Sequence, residues 1–252
     1  MKLTTAGELL ASYVRRLVLE QQEIVSNIAS KQSELSGTIK IVSAEGFATS
    51  FIPKLAAEFQ ARHPAISVQC VTGSHSDIFR EIRHGHSDLG MSFENRPDPD
   101  ISTVVRFGCE TKIIMRRGHK LAGKSVLNLI DLARYPIATS LGTTTRQIFE
   151  HRAAIEGVEF SIKFQSTNSA SIFNYLSASD AVSFGIELTS REWLDQGHLV
   201  ARPLDNPEPF RRNIYISVMA DRTLPRRVET FIEFIHQELR LTLRNNQGWP
   251  SS

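Results

Sequence analysis

From Gly37 onward, short apolar runs alternate with stretches of helical periodicity, and this order restricts the fold more than any other feature of the sequence. The apolar runs are 39–43, 66–71, 88–93, 135–139, 160–164, 181–186 and 213–218. Between them, helices are predicted to start near Thr49, Ser76, Thr144 and Ser169, each opened by a hydroxyl side chain suited to capping. Strand, helix, strand in repetition predicts an α/β fold with parallel sheets covered on both faces. Two strand-like runs, 101–107 and 110–116, break the alternation with no helix between them. Such a pair carries the chain from one lobe to another, and a return at 213–218 closes a second lobe inserted into the first. A final helix over about 224–243 follows Thr223, with Pro225 in its first turn and Val228, Phe231, Ile232, Phe234, Ile235 and Leu239 on its apolar face. A length of 252 residues suits two lobes plus an appendage.

That appendage comes first. Residues 5–34 lack proline, and Leu9, Leu10, Tyr13, Val14, Leu17, Ile24, Val25 and Ile28 recur near helical spacing. Thr5 with Glu8 reads as a capping box at the start of one long amphipathic helix. At 1.5 Å per residue it reaches about 40 Å, and no other helix of the chain is long enough to cover its apolar stripe. A second copy of the same helix is the expected partner, with Leu10, Tyr13, Leu17 and Ile24 at the seam of a homodimer. Folding back onto its own domain stays open, because the heptad is not strict.

Lys and Arg number 29 against 27 Asp and Glu, a net charge of +2 that is too even for a domain holding nucleic acid through phosphates alone. Cys70 and Cys109 lie in apolar strand-like runs and read as buried, inert thiols, with a redox pair as the weaker alternative. With neither an 18-residue apolar run nor the features of a secretory signal, the chain reads as soluble and cytoplasmic. Walker, GxGxxG, GxSxG, HExxH and CxxC motifs are all missing, so no catalytic residue, no cofactor and no enzyme activity is expected. His84 and His86 flank Gly85 without a third ligand at fitting spacing, and read as surface residues at a helix end rather than a metal site.

Four strand-to-helix junctions are rich in small and hydroxyl residues: 43–50, 72–77, 139–146 and 166–171. Ligands of open parallel sheets bind beyond the carboxyl ends of the strands, where helix N-termini present unpaired N–H groups. Any single hydroxyl here is most simply a helix cap. Convergence of four junctions, two expected from each lobe, predicts a polar cleft between lobes that takes a small molecule. Arg146, in the first turn of its helix, suits a carboxylate or phosphate. Glu45 either selects an amine or guanidinium, or is a solvated carboxylate gaining from a helix dipole; the two readings stand about even.

With those residues in hand, the chain resembles a LysR-type transcriptional regulator from Leu3 to about residue 243. LTTAGELLASYVRRLV is similar to the family's LTxAG segment, where the winged helix-turn-helix domain passes into a dimerising linker helix. The run from Gly37 to Gly73 resembles the family's first strand, helix and second strand, with Pro53, His63 and Pro64 in place. HGHSDLGMSF is similar to GxxDLGI, and RRGHKLAG to the HPLA stretch.

The resemblance implies a type 2 periplasmic-binding-protein-like fold of two subdomains joined by two crossover strands, preceded by the long N-terminal helix. It divides the chain into the linker helix with the end of the DNA-binding domain (1–36), subdomain I (37–110, returning over 213–245), subdomain II (111–212) and a frayed tail (246–252). It further implies homodimers or tetramers that control transcription when a small metabolite enters the cleft. Carried over by position, the effector contacts are Glu45, Gly46, Phe47, Ser74 and His75 on one subdomain, with Ser140, Gly142, Thr143, Thr167 and Asn168 on the other. Gly46 departs from the hydroxyl many relatives carry there, leaving the backbone donors of Gly46 and Phe47. The family's recognition helix lies in roughly the first 60 residues of a full-length member, and this chain is expected to begin after it. A fragment, a mis-set start and a truncated gene all fit that expectation. DNA contact is then expected only through a winged helix-turn-helix that the chain does not carry, and no membrane partner is expected. The rival readings are a solute-binding protein of a transporter and an enzyme on a similar fold; mixed dimers formed through residues 5–34 are a third possibility.

Overall fold

The computed structural model describes residues 35–93, 96–141 and 144–244, together with positions 4, 7, 10, 13, 14, 17, 18 and 21. In chain order the strands are β1 Gly37–Ser43, β2 Ile66–Thr72, β3 Leu89–Ser92, β4 Ile101–Glu110, β5 Lys112–Arg116, β6 Pro136–Ser140, β7 Ser161–Ser166, β8 Val182–Gly185, β9 Leu199–Arg202 and β10 Arg211–Met219. The α-helices are α1 Ile52–Arg62, α2 His75–Arg83, α3 Leu129–Ala133, α4 Thr144–Ile155, α5 Ser169–Ser177, α6 Glu187–Asp195 and α7 Arg226–Arg244. Two compact units result. One comprises residues up to Ala44, Ile52–Phe107 and the chain from Asn213 on; the other comprises Glu45–Phe51 and Gly108–Arg212. The division falls at Phe107/Gly108 rather than after residue 110, and the segment Glu45–Phe51 groups with the second unit rather than the first.

The sheet of the first unit has the order β2-β1-β3-β10-β4 and that of the second β7-β6-β8-β5-β9. β1 runs parallel to β2 from Gly37↔Ile66 to Ser43↔Thr72, and parallel to β3. In the second unit β6 is parallel to β7 and β8. The expectation of wholly parallel sheets fails at β10, antiparallel to β3, and at β5, antiparallel to β8 and β9. Both strands enter their sheet from the other unit, β5 one residue after β4 and β10 directly after the short turn Glu208–Phe210, so neither follows a strand of its own sheet through the crossover helix that a parallel return needs.

Both faces of each sheet are covered, which is why the central strands read as continuous apolar runs. On β1, Ile39 and Ile41 are buried on one face and Val42 on the other, where it meets Ile78, Phe79 and Ile82 of α2 and Met219 of β10. α1 packs on α7 through Phe59, whose ring lies 4.9 Å from Phe231 and 5.5 Å from Phe234. In the second unit Ile113 and Met115 of β5 join Leu132, Ile137, Phe149, Val182 and Phe210, while Ile114 turns to Ile172, Phe173 and Leu176 of α5. α2 lies so close to β3 that a Cβ on Gly90 would meet Ile82 Cδ1 at 2.6 Å and Ile78 Cγ2 at 2.7 Å.

Several local expectations change. The backbone is already helical at Glu45 and takes the wider π form over Phe47–Phe51 before α1, so Thr49 is not a helix start. Pro53 offers no N–H and its ring crowds the carbonyl four residues back, which disfavours a regular α turn there. α2 is capped by Ser74 and starts at His75, one residue before Ser76. Pro225 precedes α7, its carbonyl accepting from Val228 N at 2.8 Å and Glu229 N at 3.1 Å. Helices α3 and α6 and strand β9 were not expected from the sequence pattern. At the amino end, Thr4 Oγ1 accepts from Gly7 N at 3.2 Å. Leu10, Tyr13 and Leu17 are helical and 64%, 59% and 48% exposed. Thr5, Glu8 and Ile24 lie outside the described residues, as does the tail. Cys70 is exposed on edge strand β2, against expectation, whereas Cys109 is buried. Among the described residues no helix is long and apolar enough to cross a membrane.

Candidate functional site

In the second unit, the segment Glu45–Phe51 lies on the first turns of α5 and α6. Phe47 is fully buried, and Ser50 Oγ donates to Thr189 O at 2.7 Å. Gly46 permits this approach, since a Cβ there would meet Thr189 Cγ2 at 3.0 Å and Cβ at 3.2 Å. Glu45, half-buried, is thereby brought to the start of α5. Its Oε2 accepts from Ser169 N at 3.0 Å and from Ser169 Oγ, and its Oε1 accepts from Thr49 Oγ1 at 2.8 Å. Asn168 completes the cap, its Oδ1 accepting from Ser171 N at 2.9 Å. The carboxylate thus sits at the N-terminus of α5, where the helix dipole favours an anion.

Beside it, the carboxyl ends of β6 and β7 are neighbours: Ser140 pairs with Ser166, and Leu141 N donates to Ser166 O at 3.1 Å. Ser140 is half-buried at the end of β6, and Thr167 and Asn168 are exposed after β7. Gly142 and Thr143, between β6 and α4, lie outside the described residues. In the first turn of α4, Thr145 Oγ1 accepts from Arg212 Nη1. Arg146 Nε donates to Glu150 Oε1 at 2.8 Å, an i,i+4 pair on its own helix.

In the first unit, the loop after β2 presents Ser74 and His75. Ser74 Oγ donates to Asp77 Oδ2 at 2.6 Å and accepts from Asp77 N at 3.3 Å, while Ser74 N donates to Asp77 Oδ2 at 3.0 Å. This capping box commits the Ser74 proton and, with Arg80, holds the Asp77 carboxyl below its ordinary pKa. The His75 ring packs 4.3 Å from Phe79. His84 caps the C-terminus of α2, and His86 Nδ1 lies 3.5 Å from Glu81 Oε2. Among the described residues no group of three or more His, Cys, Asp or Glu is placed to hold a metal ion. Burial pushes the Cys109 thiol up to about 12, and partial desolvation raises that of Cys70 although the residue itself is exposed, so neither is poised as a thiolate.

Ser50, Thr189 and Arg212 escaped the sequence reading. Thr189 sits in α6, whose N-cap Ile186 makes no side-chain bond, so the hydroxyl signal that marked the other helices was missing there. Arg212 lies in a strand whose apolar pattern drew attention to its core face alone.

Residues 32–240 match the family model described as the LysR substrate binding domain. The chain belongs to this family. A LysR-family relative, the HTH-type transcriptional regulator SsuR of Burkholderia cenocepacia, is 27% identical over 138 residues, covering 54% of this chain and 45% of the regulator. CysB of the same organism is 21% identical over 197 residues, covering 77% of this chain and 63% of the regulator. The chain thus spans between about half and two thirds of the length of these two curated relatives. Among solved structures, the regulatory domain of Synechocystis CcmR in complex with 2-PG is similar with a TM-score of 0.67 at 21% identity, covering 83% of this chain and 99% of that one. The two mixed sheets are those of LysR effector-binding domains, a periplasmic-binding-protein-like fold.

Proposed function

We propose that the chain is the effector-sensing part of a LysR-type transcriptional regulator, one that answers to a small molecule and carries no catalytic activity. The observation that supports this most is the family match across residues 32–240, which takes in every strand described. The relatives SsuR and CysB are named as transcriptional regulators. Second-unit effector contacts are proposed at Glu45, Gly46, Phe47, Ser140, Gly142, Thr143, Thr167 and Asn168, where the ends of β6 and β7 and two helix N-termini gather polar groups. Ser74 and His75 are the candidates on the first unit. Subunits pair through the amino-terminal helix at Leu10, Tyr13, Leu17 and Ile24, and regulation acts on DNA in the cytoplasm through a winged helix-turn-helix.

The mechanism is linkage. An effector that prefers one of two arrangements of the regulator shifts their populations by its differential affinity, typically about 1 to 3 kcal/mol of coupling. Native mass spectrometry of the purified chain, with calorimetric titration of the compounds it retains or that a metabolite library yields, tests the reading. A retained or saturably bound small molecule, with affinity lowered about tenfold by Thr143→Ala combined with Ser74→Ala, is the expected result. Absence of any bound compound in both measurements, or turnover of the compound by the protein alone, would overturn it.

A further inference from the structure

Glu45 lies among the loops proposed to hold the effector, and three separate anchors fix it: Gly46 lies against Thr189, Phe47 is buried, and Ser50 is bonded to Thr189 O. A carboxylate held in this way loses little further freedom when it is used. Both of its oxygens are engaged, Oε2 with the N–H and hydroxyl of Ser169 and Oε1 with Thr49. We infer that Glu45 is a built-in anion that sets the charge selectivity of the effector site. It satisfies from within the chain the donors of Ser169 that would otherwise welcome a carboxylate or phosphate from solution.

The inference rests on the reading that these loops bind the effector, and it narrows that effector's chemistry. An incoming anion must displace Glu45 or stand beside a like charge, and both disfavour it. A carboxylate has about four lone-pair positions, and three bonds leave Glu45 room to accept one more. The matching group on an effector is a cation or a neutral hydrogen-bond donor such as an ammonium, guanidinium or amide N–H.

Melting temperatures of the full chain, of Glu45→Ala and of Glu45→Gln test this, titrated with sodium acetate and with sodium chloride at matched ionic strength. Wild type is expected to respond alike to both salts. Glu45→Ala is expected to melt lower and to regain at least half the loss, saturably, in acetate but not chloride. Should the alanine variant fail to fold, Glu45→Gln keeps the test: the neutral amide removes the repulsion, and its acetate affinity is expected to exceed that of wild type by about tenfold. Equal acetate responses in wild type and in whichever variant folds would overturn the inference. That outcome leaves effector binding itself to the spectra and calorimetric titrations of the unaltered chain, which compare no variant at position 45.

Discussion

His119 is buried, with Nδ1 accepting from Leu121 N at 3.1 Å, which places its proton on Nε2, 3.1 Å from Asp180 O. Only the neutral ring can make both bonds, and burial is the main cause that holds its pKa below the ordinary 6.5. The unfolded chain therefore takes up a proton first as pH falls. Stability contributed by neutral His119 is whole above pH 6.5 and is lost as pH drops from there through the lower folded value. His236 is shifted in the same direction, also chiefly by burial, and adds to the same window. His119→Asn keeps an acceptor for Leu121 N and loses the titrating ring. It is expected to lower stability at pH 7.5 by about 1 to 2 kcal/mol while flattening the decline between pH 6.5 and 5, as read by urea unfolding across that range. An unchanged slope would assign the acid sensitivity elsewhere. Legibility at this scale was uneven. The hydroxyl that caps α2 is Ser74, two residues before the Ser76 expected at the helix start, whereas Glu45 stood undecided because its partner, Ser169, is distant in sequence and no spacing rule reaches it.

At the scale of elements, strands with a buried partner on each side were the readable ones: β1, β3 and β6 are apolar runs because helices cover both their faces. β9 has four residues with a single one buried, and α3 has five residues, so neither holds enough of a period to register. α6 carries polar residues along most of its length and lacks a side-chain cap, which hid it although Leu188, Thr189 and Ser190 are buried. The hydroxyl of Thr49 misled in the opposite direction, since its one proton turns back to Glu45, shared between the carboxylate Oε1 at 2.8 Å and the carbonyl O at 3.0 Å, instead of opening a helix. The contact of α2 with β3 offers a sharp test of packing. Gly90→Ala would thrust its methyl group against Ile78 and Ile82, both of them buried, and is expected to cost about 1 to 3 kcal/mol, seen as a lower urea midpoint with an unchanged slope. A midpoint equal to that of wild type would show that α2 shifts freely on the sheet.

For the whole molecule, the two-unit plan was announced by the pair of strand runs without a helix between them, which became β4 and β5. What could not be read was the membership of Glu45–Phe51, because a seven-residue excursion that leaves one unit and returns has no compositional mark. The exposed stripe of Leu10, Tyr13, Val14, Leu17 and Val18 bears on assembly. The proposed pairing of subunits through this stripe predicts that Leu10→Glu combined with Leu17→Glu lowers the sedimentation coefficient from that of a dimer to that of a monomer without moving the urea midpoint; an unchanged coefficient would overturn that pairing. The arrangement of the strands also bears on biosynthesis. β10 lies between β3 and β4 in its sheet, yet it is the last strand made, and α7 follows it. On the ribosome, the inserted unit has all of its own strands once residue 202 has emerged, while β1, β2 and β3 wait with an unfilled place at their edge. A nascent chain therefore finishes the half it began second before the half it began first, and any premature stop within the last strand leaves the older half open.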